Sequence, residues 1–198
     1  MDIPFVIVDN YFIEENMNTV LMNNRNATFQ AVKHFVANGH SQIGYLQSSI
    51  SIHNFRERFK GYRDALKFFG LQYNSKYVYK LESTLEGSYR DMKALLESDS
   101  LEMPTAVLAD NDIIAFGAMR ALQNKGLSIP KDISIIGIDD MPFCMITNPR
   151  LTTIRIFKRE IGMEAVKTII NQINDGNNIT QKKEINTELI ERESVLNL

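Results

Sequence analysis

Ile133-Ser134-Ile135-Ile136-Gly137-Ile138, followed directly by Asp139-Asp140, is the stretch on which the fold turns. Its apolar residues are mostly β-branched, and no polar residue alternates with them. A strand with one wet face alternates, whereas a strand covered on both faces does not. The run is therefore predicted to lie inside a sheet with helices on both sides. Two carboxylates leave its carboxyl end.

Upstream and downstream the same grammar repeats. Short apolar runs at Pro4–Asp9, Met17–Met22, Ile43–Leu46, Tyr77–Leu81, Thr105–Ala109, Thr152–Ile156 and Ile185–Glu191 read as strands. Helical spacing separates them. Phe29, Val32, Phe35 and Val36 share a face that ends at Gly39. Phe55, Phe59, Tyr62, Leu66 and Phe69 recur at steps of four and three, and Gly70 stops them. Tyr89, Met92, Leu95 and Leu96 mark a third helix, and Ile114, Ala118, Ala121 and Leu122 a fourth that ends at Gly126. Glu160 to Ile173 gives a fifth, and the Asn-rich stretch from Asn174 to Asn178 reads as a loop. Strands alternating with helices predict an α/β fold with a parallel sheet and right-handed crossovers.

Composition narrows the class. The chain has 198 residues, 44% of them hydrophobic and 23% charged, which suffices for a real core. A net charge of -2 does not suit a surface that grips phosphate backbones, so no direct nucleic-acid contact is expected of these residues. One cysteine, Cys144, cannot form an internal disulfide framework, which fits a reducing cytoplasm. No apolar run approaches the ~18 residues of a membrane span, and no signal peptide is expected at the start. No cofactor is expected either. His34, His40 and His53 lack metal-ligand spacing, Cys144 lacks a partner, and no GxGxxG or P-loop pattern occurs. The chain reads as a binding protein and not an enzyme. The Asp139–Asp140 pair also resembles acidic pairs that hold magnesium in phosphotransfer domains, but the surrounding pattern fits poorly.

In open parallel sheets, ligands sit beyond the carboxyl ends of the strands. Polar groups collect there: Asp9; the loop Gln47 to Asn54 with Arg56 and Arg58; Glu82, Ser83 and Thr84; Asp110, Asn111 and Asp112; Asp139 and Asp140. Carboxylates, amides and a guanidinium are the groups that hold a sugar. Each has a plainer reading. Asp110, Asn111 and Asp112 are also helix caps, Asp139 and Asp140 also cap a short helix at Pro142, and Arg58 is also a salt-bridge residue.

Four segments carry a family resemblance. They are Asn38-Gly39-His40 with Ile43-Gly44; Arg58-Phe59-Lys60-Gly61-Tyr62; Pro104-Thr105-Ala106 with Asn111-Asp112, Ala115, Gly117-Ala118, Gly126 and Pro130; and Asp132 to Asp140 with Pro149, Leu151 to Ile154 and Gly162. In this order they resemble the LacI and purine-repressor family of transcription regulators.

The resemblance implies a periplasmic-binding-protein-like fold of two α/β lobes. Residues 1–24 would be part of an N-terminal lobe and 25–152 an effector-binding C-terminal lobe. Residues 153–189 would return to the N-terminal lobe, and 190–198 would end on the C-terminal one. The N-terminal lobe would be partial, with exposed apolar surface and a tendency to associate. In the family a small effector, a sugar or nucleobase, alters how a separate headpiece meets operator DNA, and the regulator is a homodimer. Arg58 and Asp139 match the effector-binding arginine and aspartate. Asp9 and Asn111 match contacts to sugar hydroxyls, and Asn54 a polar loop residue near the ligand. Ser83 stands where many members place a stacking aromatic, a role open here to Tyr79 or Tyr89. A sugar-binding receptor of a transport system shares the fold and is the alternative.

Overall fold

The computed structural model describes residues 3–12, 17–98, 101–175 and 179–198. The chain forms two compact units, one of residues 1–23 and 156–187, the other of residues 24–155 and 188–198.

The larger unit is built on a six-stranded sheet. In chain order its strands are β3 (Ile43–Ser48), β4 (Val78–Leu81), β5 (Ala106–Ala109), β6 (Ser134–Ile138), β7 (Thr152–Arg155) and β9 (Glu188–Ile190), arranged as β4-β3-β5-β6-β7-β9. Every pair is parallel except β7 with β9. Helices α1 (Asn24–Ala37) and α2 (His53–Phe68) pack on each other, as do α3 (Leu85–Leu96) and α4 (Asp112–Asn124). Strand residues alternate between the two helix pairs. Tyr45 lies 4.8 Å from the Tyr62 ring of α2, while Leu46 joins Met92 of α3 and Leu122 of α4 in the opposite core. β6 is buried at all five positions, as its lack of polar alternation required.

The helix ends fall where expected. Gly39, Gly70 and Gly126 follow α1, α2 and α4 with φ of 86°, 70° and 89°. Gly61 matters for close approach instead, since a Cβ there would meet the Arg25 backbone at 2.8 Å and the Thr28 hydroxyl. Its bare Cα lets α1 and α2 approach closely, which sets the position of Arg58 one turn earlier.

The smaller unit carries the parallel strands β1 (Ile7–Val8), β2 (Thr19–Met22) and β8 (Lys182–Ile185) in the order β1-β2-β8, with α5 (Lys158–Asp175) packed on them. Ile161, Ala165 and Thr168 form the buried side of α5. Lys183 of β8 pins that side through Glu164 at 2.8 Å and Thr168 at 3.1 Å. Met163, Val166, Ile170 and Ile173 run along its exposed side.

Three sequence readings are corrected here. Ile185–Glu191 is not one strand: β8 ends at Ile185 in the smaller sheet, and β9 begins at Glu188 antiparallel to β7 in the larger. Local alternation is the same for both halves and does not name the partner strand. For the same reason residues 153–155 and 188–189, expected in the N-terminal lobe, lie in the larger unit. Asn174 and Asp175, read as loop, complete helix α5, while residues 176–178 lie outside the described residues.

Candidate functional site

The parallel strands β3, β4, β5 and β6 end on one edge of the larger sheet, and the polar residues that follow them form a connected network. Arg58, on α2, is its hub. The residue is 4% exposed. Its Nε donates to Asn24 Oδ1 at 2.9 Å, and one Nη donates to the Asp110 carbonyl. Its other Nη lies 3.5 Å from Asp139 Oδ1. The guanidinium also rests 5.5 Å from the centre of the Phe55 ring.

Asp139 directly follows β6. It takes a φ of 125°, and Asp140 a φ of 47°. Two successive non-glycine residues in this region are costly, and such strain gathers at binding sites. The turn is held on several sides. The Asp139 amide donates to the Ile154 carbonyl at 2.9 Å. The Asp140 carboxylate accepts from Arg155 Nε at 2.7 Å and Arg192 Nη2 at 2.6 Å. Burial pushes the Asp140 carboxyl up, but the hydrogen bonds from Arg192 and Arg155 outweigh it and hold it below the usual range. The two aspartates thus turn to different arginines, an arrangement unlike a paired magnesium clamp. The Asp139 side chain is 25% exposed, so it is the face of the Arg58–Asp139 pair that meets solvent.

Two carboxylates read as caps serve distant partners instead, while Asn111 between them caps α4. Asp110 is fully buried; it accepts from the Tyr45 hydroxyl at 2.5 Å and the Ser48 amide at 2.6 Å. Burial lifts its carboxyl to about 6, with the nearby Asp139 adding to the rise against the pull of its hydrogen bonds and of Arg58. Asp112 is also fully buried. It accepts from the Thr153 hydroxyl at 2.6 Å, the Met141 amide at 2.8 Å and the Cys144 thiol at 3.1 Å. It occupies the space where a Cβ on Gly137 would sit, which is why β6 carries glycine there.

The remaining sequence candidates divide. Asn54 joins the hub through Asn24, whose Nδ2 donates to Asn54 Oδ1 at 3.0 Å. Asn111 caps α4, its Oδ1 accepting from the Ile114 amide at 2.9 Å, so its plainer reading holds at the same strand end. The Ser83 hydroxyl pairs with Ser48 at 2.5 Å and borders a separate apolar groove with Leu85, Phe116 and Phe143. Tyr79 is buried with its hydroxyl on the Glu102 carbonyl, and the Tyr89 ring carries the Arg120 guanidinium at 4.7 Å. Asp9 follows β1 in the smaller unit with a φ of 58°. Sequence reasoning missed Asn24, which orders both Arg58 and Asn54. Its place just after the apolar run ending at Met22 was the available signal.

Among the described residues no group of three or more His, Cys, Asp or Glu is placed to hold a metal ion, and no helix is long and apolar enough to cross a membrane. The His40 ring is spent on Thr105 and the Leu196 carbonyl at 3.0 and 3.1 Å.

Comparison with known proteins gives a consistent picture. Residues 32–195 match the family model of the periplasmic binding protein-like domain. The chain is 32% identical over 199 residues to the HTH-type transcriptional repressor PurR of Actinobacillus pleuropneumoniae serotype 3 (strain JL03), and 31% identical over 198 residues to the ribose operon repressor of Haemophilus influenzae. Each match takes in 100% of this chain and 59% of the relative, so the chain spans well under two thirds of their length. Among solved structures it is similar to a LacI family transcriptional regulator from Enterococcus faecium with bound ribose. That match has a TM-score of 0.85 at 28% identity and covers 98% of this chain and 71% of the other.

Proposed function

The chain belongs to the periplasmic binding protein-like domain family, in the form found in LacI-type transcription regulators, and from that premise we propose that it senses a small polar effector for such a regulator. The observation that carries the reading is the Arg58–Asp139 contact at the carboxyl edge of the larger sheet. Its 3.5 Å separation exceeds the ~2.7–2.9 Å of a tight charge-assisted bond. A sugar hydroxyl donates to the Asp139 carboxylate while Arg58 fixes that carboxylate and its charge from behind. Asn111, Asn54, Ser83 and Asp9 are the secondary candidates. The bound ribose of the Enterococcus faecium regulator supports a sugar as the class. Operator DNA is contacted by a headpiece other than these residues, in the cytoplasm. Effector and operator affinities are then coupled, by ~1–3 kcal/mol in systems of this kind.

Calorimetry with a panel of pentoses, hexoses and nucleobases tests the site. Asp139→Asn keeps the shape and tolerates the left-handed backbone, and is expected to weaken the best ligand about a hundredfold, the cost of losing a charged hydrogen-bond acceptor. Unchanged affinity in that variant removes the site assignment.

The regulator acts as a homodimer in this reading. Support comes from the apolar groove of about 600 Å³ beside Ser83, where Phe143 and Ile146 are 57% and 75% exposed. Patches of this kind mark protein interfaces. Phe143→Asp with Ile146→Asp is expected to give a monomer by sedimentation without lowering the unfolding midpoint. A dimer that survives both charges places the interface elsewhere.

A further inference from the structure

We propose that a groove beside α2, separate from the Arg58–Asp139 pair, binds a phosphate monoester through Arg56 and Lys80. The groove has a volume of about 310 Å³ and is lined by residues of α2, of β3 and the loop after it, and of β4, the edge strand of the larger sheet. Such a volume is at the small end of ligand pockets, ~300–1,000 Å³. Gln47 of β3 and Lys80 of β4 are register partners on its floor, and Phe55, Arg56, Phe59 and Lys60 of α2 form its wall.

Charge makes the groove unusual for this molecule. The chain as a whole carries a net charge of -2, yet the lining holds three cations and no carboxylate. Lys60 is paired with Glu57 at 2.7 Å. Arg56 and Lys80 make no ion pair among the described residues. Arg56 is nevertheless held in place, one Nη donating to the Ser51 carbonyl at 3.2 Å. That bond sets the guanidinium over a loop of hydroxyls, since Ser48, Ser49 and Ser51 also line the groove. Helix α2 starts directly after this loop at His53, with no side-chain cap from Ile52, so its dipole adds to the positive potential.

A phosphate monoester fits this set better than other anions. It carries ≈ −1.5 to −2 charge at pH 7 and presents three strong acceptor oxygens. Two uncompensated cations and a serine-rich loop match that charge and acceptor count. A carboxylate brings half the charge. Phe55 and Phe59 offer an apolar wall for the organic part of the ester. Phe55 also bears the Arg58 guanidinium at 5.5 Å, and Ser48 is bonded to Asp110 and Ser83, so the groove adjoins the effector network through these two residues while Arg56 and Lys80 lie outside it. The inference is independent of the effector reading.

The experiment titrates the 198-residue chain with inorganic phosphate and with glycerol phosphate, followed by thermal shift and ³¹P line broadening at constant ionic strength in sodium chloride. A saturable response is expected. Arg56→Gln and Lys80→Gln should each weaken it about tenfold, and the double variant about a hundredfold, the size of charge-assisted bonds lost at an exposed site. Both side chains are exposed, so an unchanged unfolding midpoint without phosphate shows that the variants fold. Asp139→Asn should leave phosphate binding intact, which separates this site from the effector site. A non-saturable response, one reproduced by sodium chloride, or one retained in the double variant overturns the proposal.

Discussion

Asp112→Ala is expected to lower the free energy of unfolding by about 4 kcal/mol, enough to threaten folding of a typical domain. The carboxylate is fully buried and takes three hydrogen bonds, from Thr153, Met141 and Cys144. Alanine removes all three acceptor contacts at once, and each strong donor left unpaired inside costs ~1–3 kcal/mol. Part of that loss is offset. Burial pushes the Asp112 carboxyl above its ordinary range, so the charged group is itself held in the core at some expense. Asp112→Asn keeps one acceptor and should lose about half as much. Urea denaturation measures both. A second readout reports the segment that Asp112 secures. Cys144 is fully buried and its thiol is raised by burial first and by Asp112 next, so it is unreactive in the native protein. Release of the segment from Met141 to Ile146 should make Cys144 accessible to a thiol reagent in the alanine variant. A stability loss below about 1 kcal/mol, with Cys144 still protected, would show that Asp112 does not secure this segment.

The same residue shows what the sequence made legible. Strand and helix positions were readable because their signals are local. Ile43 to Leu46 and Ile133 to Ile138 are apolar without alternation, and the step of Phe55, Phe59, Tyr62 and Leu66 has only one periodicity. The Asp110-Asn111-Asp112 triad was equally visible as a helix start, and Asn111 is indeed the cap. The flanking aspartates serve partners far along the chain, Ser48 on one side and Thr153 on the other. Nothing in a short sequence window distinguishes a carboxylate that caps from one that crosses a core. Arg58 and Asp139 were singled out only together, through the strand-end rule and the family pattern, and the structure sets them 3.5 Å apart with Arg58 buried and the Asp139 side chain partly exposed. Asn24 escaped because an asparagine at a helix start has an ordinary explanation. The split of β8 from β9 escaped because hydrogen-bond partners in a sheet are chosen by topology, not by composition.

Asp110 should make stability fall as pH rises from about 4 to above 6, by about 3 kcal/mol from this one group. Its folded carboxyl is lifted to about 6, against 3.8 for an unhindered aspartate, chiefly by burial and further by Asp139. The folded state therefore holds the proton more tightly than the unfolded chain. The stabilisation is full below about pH 4 and is lost as pH climbs through about 6. Other groups titrate nearby with the opposite sign. His34 and His40 are lowered below 6.5, in each case first by burial, so their contribution is present above that value and lost as pH falls. The measurement must therefore be a difference. Urea unfolding of the wild type and of Asp110→Asn, from about pH 4.5 to about pH 7.5, cancels the histidines and Asp112, which both proteins share. The gap between the curves should move in favour of the variant as pH rises, because asparagine stays neutral. Parallel curves would mean that Tyr45 and Ser48 hold the ionised carboxylate without strain. The sign matters for the site as well. The Asp110 carbonyl accepts from Arg58, and its carboxylate repels Asp139 when ionised, so repulsion at the base of the network is greatest at neutral pH.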